Sequence, residues 1–126
     1  MSNEVIPLYR PGNDITCKAT AAVTGGTFVE LSGNIAGALP QVKTAGAGVR
    51  AFGVAARDSV SSDANRVPVI RGSKIVLPVT AGGNLAFGDE VEVGANGRAV
   101  KKTGGVAVGR ALAAGTTGAP VFIELF

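Results

Sequence analysis

The sequence predicts an all-β fold, either a compact sandwich or a partly open barrel, on the strength of three observations. No window of about a dozen residues keeps an apolar face at helical spacing without a Gly or Pro inside it. Short alternating segments recur instead, and glycine-rich turns separate them. The chain also carries one pattern twice in the same order, which predicts two copies of a β unit in one pseudo-symmetric body.

The repeat consists of three pairs of similar segments, which are residues 24–31 with 81–88, 52–56 with 108–114, and 67–70 with 120–123. The separation within a pair shrinks only across the polar loop at 57–65, because its counterpart at 115–118 is shorter. We therefore predict an N-terminal arm and a single β domain that contains two pseudo-repeats. The arm takes residues 1–14, the domain residues 15–126, and the pseudo-repeats about 22–71 and 80–125.

Five strands are predicted in the first half, at residues 15–19, 27–31, 41–43, 49–56 and 67–70. The first alternates around Cys17, and the paired breakers Gly25 and Gly26 precede the second. A turn is predicted at residues 32–34, where Ser, Gly and Asn follow one another. The remaining three follow the same recurrence of short strand signals between glycine-rich or polar turns.

Five further strands are predicted in the second half, at residues 74–79, 89–93, 99–102, 106–112 and 121–125. Asn96 and Gly97 separate two of them, and both residues tolerate the positive φ that a tight hairpin turn needs. In residues 89–93, alternation puts two valines on one face and Glu90 and Glu92 on the other. We interpret the glutamate face as solvated rather than catalytic.

The first residues stand outside the repeat. Pro7 and Pro11 keep this segment extended and out of a central strand. Two interpretations follow. The segment is either an arm laid over a surface or an edge strand that closes its own domain.

The composition predicts a thin core and an oligomer. Hydrophobic residues make up 46% of the chain, but aromatic residues make up only 5%, so most of the aromatic residues are expected in the core. The 19 glycines raise the entropy cost of ordering the chain. Burial of apolar surface between subunits would offset that cost.

Candidates for chemistry are few. The chain has no His, which removes the commonest proton-transfer group and metal ligand near neutral pH. Cys17 is alone and is predicted to be a buried strand residue. Asp58 and Asp63 bracket a serine-rich loop, but their spacing differs from the known calcium-binding loop. We predict no enzymatic activity and no cofactor or metal.

The charge pattern makes several partners improbable on physical grounds. The net charge is +3, and the basic residues are spread along the chain rather than clustered with aromatic residues, so nucleic acid is not expected as a partner. No membrane span or signal peptide is visible in the sequence, so synthesis in the cytoplasm and a soluble product are expected. No small-molecule substrate is expected either.

Several short motifs occur in a characteristic order. Arg-Pro-Gly runs on to Ile-Thr at residues 10–16, and Ala-Val with paired glycines and Phe-Val follows at 22–29. Gly-Val-Ala at 53–55 and a closing apolar strand at 120–125 complete the order. This order resembles that of phage capsid cement, or head decoration, proteins, which are small all-β proteins. Asn13 departs from the family's acidic turn residue, and residues 34–48 form a longer segment than the family's pattern.

The resemblance implies a structural virion protein that binds the outer surface of an icosahedral phage head and stabilises the expanded capsid. It implies the major capsid protein as partner, and a homotrimer. Two alternatives are another virion β-module, associated with a tail or fibre, and a non-viral ligand-binding β-module. Contacts with the capsid or with neighbouring subunits are expected at residues 34–48 and 57–65, where the halves differ. The candidate capsid-binding residues of the arm are Val5, Ile6, Leu8, Tyr9, Arg10 and Pro11.

Overall fold

The computed structural model describes residues 14–126 and confirms the all-β prediction. Its strands each overlap a predicted one. Those of the first half are β1 (Asp14–Ala19), β2 (Phe28–Ala36), β3 (Leu39–Thr44), β4 (Gly53–Ala55) and β5 (Arg66–Ile70). Those of the second half are β6 (Val76–Thr80), β7 (Glu90–Val93), β8 (Ala99–Lys101), β9 (Gly109–Ala111) and β10 (Pro120–Leu125). Helical structure in the described chain is limited to the 3₁₀ turns Ser61–Asp63 and Ala95–Gly97.

The first half closes into a five-stranded barrel in the order β1-β3-β2-β4-β5. β1 runs parallel to β3 and antiparallel to β5, which closes the cylinder. Small and branched side chains fill the interior because every second residue of each strand points inward. They are Cys17, Ala19, Val23, Val29, Val42, Ala55, Val67 and Val69.

The second half forms a five-stranded sheet, called here the second sheet, in the order β6-β10-β9-β7-β8. A parallel bridge between Ala81 and Ala99 joins the end of β6 to β8, as β1 joins β3 in the barrel. The two halves therefore share one strand order, over Asp14–Ile70 and Val76–Leu125. The division into an arm and one domain stays a prediction.

The strand register shows which residues of the two halves are equivalent. Phe28 pairs with Val54 in the barrel, and Glu90 pairs with Arg110 in the second sheet. β2 follows Gly26 (φ 75°) and β7 follows Gly88 (φ 85°), both in the conformation that glycine tolerates best. The structure thus aligns Gly26 with Gly88, whereas the sequence match of residues 24–31 with 81–88 aligns Gly26 with Gly83.

The barrel interior forms one core, and a second core lies between the barrel and the second sheet. Phe28 and Val54 point out of the barrel and join the apolar cluster of the second sheet, where Phe28 is fully buried. Gly97 approaches the barrel so closely that a Cβ there would lie 2.7 Å from the Phe28 carbonyl oxygen. The Thr80 N–H also donates a hydrogen bond to the Gly26 carbonyl (2.9 Å). Packing and backbone hydrogen bonds therefore hold the barrel against the second sheet.

The β2–β3 hairpin of the barrel and the β7–β8 hairpin of the second sheet differ in length and in the position of the turn. The predicted hairpin turn at Asn96 and Gly97 is confirmed, with φ of 61° and 70°. The turn predicted at residues 32–34 is wrong, because those residues lie inside β2, where the pairing with β3 shifts register. Gly37 and Ala38 make the turn instead, and this extends the barrel hairpin well beyond that of the second sheet.

The described chain contains no helix with the length and apolar character needed to cross a membrane.

Candidate interaction surface

A basic groove lies on the outside of the barrel, between the turn of the β2–β3 hairpin and strands β1 and β5. Its volume is about 520 Å³. It brings together residues from both segments that differ between the halves, because Gly37 and Leu39 come from 34–48 and Arg57 begins 57–65. The groove is lined by Thr16, Gly37, Leu39, Arg57, Arg66, Val67 and Pro68.

Two arginines, Arg57 and Arg66, line this groove, and Lys18 lies beside it. Arg66 pairs with Lys18 across β5 and β1, and both side chains are exposed. Arg57 contributes a third cation, and its Nη1 donates to the Asp58 carbonyl (3.1 Å). Adjacent cations above an apolar floor suit a partner that presents carboxylates.

A cleft of about 480 Å³ separates the barrel from the second sheet. Arg71 lies in its wall with its guanidinium 4.2 Å from the centre of the Phe52 ring, and its Nε donates to the Phe52 carbonyl (3.0 Å). Arg110 stands 5.8 Å from the centre of the Phe126 ring, another residue of the cleft. These cation–π contacts hold the arginines in place.

The expectation that most aromatic residues belong to the core is wrong. Among the phenylalanines, Phe28 is fully buried and Phe52 half-buried, while Phe87, Phe122 and Phe126 are exposed. The alternation of β10 explains Phe122, because its neighbours Val121 and Ile123 point inward. Reading that alternation in the sequence would have placed Phe122 on the surface.

The interpretation of Glu92 as a solvated strand residue is also wrong. Its side chain is buried, and Oε1 accepts hydrogen bonds from the Thr103 N–H (2.8 Å) and hydroxyl (2.9 Å). These bonds lower the pKa of the Glu92 carboxyl below its ordinary value. Glu30, the equivalent residue of the barrel, likewise accepts from the Gly46 N–H (2.7 Å). Both carboxylates therefore fix the loop after the third strand of their half.

Cys17 lies inside the barrel, as predicted. Burial raises the pKa of its thiol to about 11, and the nearby charge of Arg71 offsets part of that rise. The thiol is therefore protonated near neutral pH, which suits a packing role.

The predicted capsid-binding residues Val5, Ile6, Leu8, Tyr9, Arg10 and Pro11 lie outside the described residues. They stay a prediction. Over residues 14–126 the structure shows no group of three or more acidic, Cys or His side chains placed to hold a metal ion.

Comparisons with known proteins identify a family and a shared fold. The family model described as phage cement protein matches residues 10–124. The crystal structure of the head fibre gp8.5 N base of bacteriophage phi29 superposes with a TM-score of 0.74 at 19% sequence identity. The alignment covers 90% of this chain and 92% of that chain, and at this identity it shows a shared fold. Among curated proteins no match is found.

Proposed function

The chain belongs to the phage cement protein family, whose members are structural virion proteins, and from that premise we propose that it binds the outer surface of an icosahedral phage head and stabilises the expanded capsid. The observation that carries the proposal is the family match over residues 10–124, which includes both halves of the fold. The proposed partner is the major capsid protein, and the proposed role involves no catalysis, cofactor, nucleic acid or membrane.

The charge distribution supports an acidic partner on the barrel side. Residues 14–75 hold seven Lys and Arg against four Asp and Glu, whereas residues 76–126 hold four of each. The net positive charge of the chain therefore resides in the barrel half. Long-range attraction would turn the barrel toward an acidic surface and raise the rate of association.

The N-terminal arm is proposed as a second contact. β1 begins at Asp14, two residues before Thr16 of the basic groove, so the arm joins the barrel at this side. On binding, the segment with Val5, Ile6 and Leu8 would add a strand to an exposed sheet edge of the capsid protein.

Stabilisation would arise by linkage. A protein that binds the expanded shell more tightly than other states of the shell shifts the equilibrium toward it. A homotrimer would engage several capsid subunits at once, which multiplies weak contacts into firm attachment. Synthesis in the host cytoplasm would then precede assembly onto completed heads.

A second candidate is a base that attaches another module to the virion. The likeness to a head fibre base favours it. The two functions differ in a measurable consequence, because a cement protein raises the stability of the head and a passive base does not.

Co-sedimentation with purified expanded heads that lack this protein tests the proposal. The wild-type protein is expected to bind saturably and to raise the temperature at which heads disrupt. Reversal of the charge of Arg66 in the groove and of Lys18 beside it, in Lys18→Glu/Arg66→Glu, is expected to weaken binding at least about tenfold and to reduce its salt dependence. Lys101→Glu/Lys102→Glu, an exposed lysine pair on the second sheet, is the matched control and should bind much better than the groove variant.

The outcomes separate the parts of the proposal. Absence of wild-type binding to heads would contradict the function itself. Equal losses in both charge variants would contradict the groove and leave only a general electrostatic attraction. A protein without residues 1–13 that folds but binds with unchanged affinity would contradict the role of the arm.

A further inference from the structure

The second sheet carries large apolar side chains on its outer surface. Phe122 of β10 is 56% exposed, Leu112 after β9 is 46% exposed, and Val76 of β6 is 50% exposed. Phe87, in the turn before β7, is 80% exposed. Single exposed apolar residues are ordinary, but contiguous ones mark interaction surfaces.

Strand register makes these residues contiguous. Phe122 pairs with Pro78 of β6, and the Leu112 N–H donates to the Phe122 carbonyl (3.0 Å). Three apolar residues thus lie side by side across β6, β10 and the end of β9. Val76 lies on the same face as Pro78, because side chains two residues apart in a strand point the same way.

The turn that holds Phe87 lies beside this row. The Gly88 N–H donates to the Ala111 carbonyl (2.7 Å), which fixes the turn next to Leu112. We call Val76, Pro78, Phe87, Leu112 and Phe122 the apolar face.

The barrel lacks such a face at the equivalent positions. Register and the matching hydrogen bonds align Phe122 with Pro68, Pro78 with Thr16, and Leu112 with Ala56. At these positions the barrel therefore has small or polar residues, although its strand order is the same. The fold does not require large apolar residues on this surface, so their presence needs another cause.

The size of the apolar face suits a protein–protein contact. At about 200 Å² for each aromatic side chain, Phe87 and Phe122 alone expose on the order of 300 Å². That area already reaches the range of the largest patches on ordinary monomers, roughly 300–600 Å². It would form the apolar centre of an interface of standard size, about 800 Å² per partner.

The charge distribution indicates which partner covers the apolar face. Two identical chains repel each other through their barrel halves, because the whole excess of basic residues lies there. Their second-sheet halves carry no net charge and can approach without that cost. We infer that the apolar face is buried where copies of this chain meet, an inference that rests on the proposed self-association and assigns its surface.

The test compares Phe122→Glu with Leu31→Glu in the full chain. Leu31 lies on β2 of the barrel and is 55% exposed, so it is an apolar residue matched to Phe122 in exposure. Sedimentation velocity from micromolar to high-micromolar protein gives the association state. The wild-type and L31E proteins should self-associate, and F122E should raise the dissociation constant at least about 30-fold, as loss of a buried aromatic contact does.

A thermal melt of each variant establishes that it is folded, and Leu112→Glu serves as the second variant if F122E does not fold. A monomeric wild type, or an F122E protein that associates as well as wild type, would overturn the inference. Loss of head binding by F122E with unchanged association would also overturn it, since the apolar face would then contact the capsid. Head binding by the wild-type protein is measured separately, so none of these results by itself decides whether the proposed function is correct.

Discussion

The barrel and the second sheet share a strand order but use the same position in opposite ways. Phe28 and Val54, paired on the outside of the barrel, are buried against the second sheet. Their equivalents Glu90 and Arg110, paired in the same register, are exposed on the second sheet. The same register therefore forms the contact between the halves on the barrel and a solvent-exposed charged pair on the second sheet.

A second pair of equivalent positions shows the opposite pattern, with charged residues on the barrel and uncharged residues on the second sheet. Lys18 and Arg66 pair on the outside of the barrel, whereas their equivalents Thr80 and Pro120 are uncharged. On the second sheet, large apolar residues lie two positions away along the same strands. Inward-facing residues of the two halves are alike because one fold needs them, whereas outward-facing residues are not under that requirement and differ between the halves.

The largest expected effect comes from breaking the packing between the halves. Phe28→Ala should lower the free energy of unfolding by about 3–5 kcal/mol, because it empties a fully buried site between the barrel and the second sheet. Chemical denaturation monitored by circular dichroism measures this change.

Glu90→Ala is the matched control at the equivalent position. It should change the free energy of unfolding by no more than about 0.5 kcal/mol, as ordinary surface substitutions do. Equal effects of the two substitutions would refute the claim that equivalent positions have opposite roles.

A smaller effect is expected at the buried carboxylate. Glu92→Gln keeps an oxygen that can accept from Thr103 but removes the charge, so the variant should melt at a lower Tm than wild type at neutral pH. The lowered pKa means that this stabilisation is present above the ordinary value of 4.5 and is lost as the pH falls through the folded-state value. The difference in Tm should therefore shrink on acidification.

Glu30→Gln is the control for this prediction. Its side chain is 22% exposed and lies 3.9 Å from the Lys43 Nζ, so solvent screens its interactions more than those of Glu92. A Tm difference between E92Q and wild type that stays constant from neutral to acidic pH would contradict the role assigned to the Glu92 charge.

The sequence predicts the strands well because their signals are local. Alternation around Cys17 and the tolerance of Asn96 and Gly97 for positive φ are enough to place β1 and the β7–β8 turn. The end of the β2–β3 hairpin is missed because Ala38 adopts φ 65°, a conformation that its side chain does not favour. A favourable turn motif at 32–34 misleads, since pairing with β3 overrides local propensity there.

The interaction surfaces are harder to predict because they depend on pairing between distant strands. Lys18 and Arg66 are far apart in sequence and become neighbours through the β1–β5 register. Phe122 and Leu112 meet in the same way. Glu92 appears solvated from alternation alone, and only the path of the loop that reaches Thr103 buries it.

The central claim is that the barrel faces the capsid and the second sheet faces other copies. Electron cryo-microscopy of heads decorated with the full-length protein tests it most directly. The account predicts that Lys18 and Arg66 lie against the capsid surface and that Phe122 lies between copies of the chain. A reconstruction with Phe122 against the capsid, or with Lys18 and Arg66 facing away from it, would contradict the account.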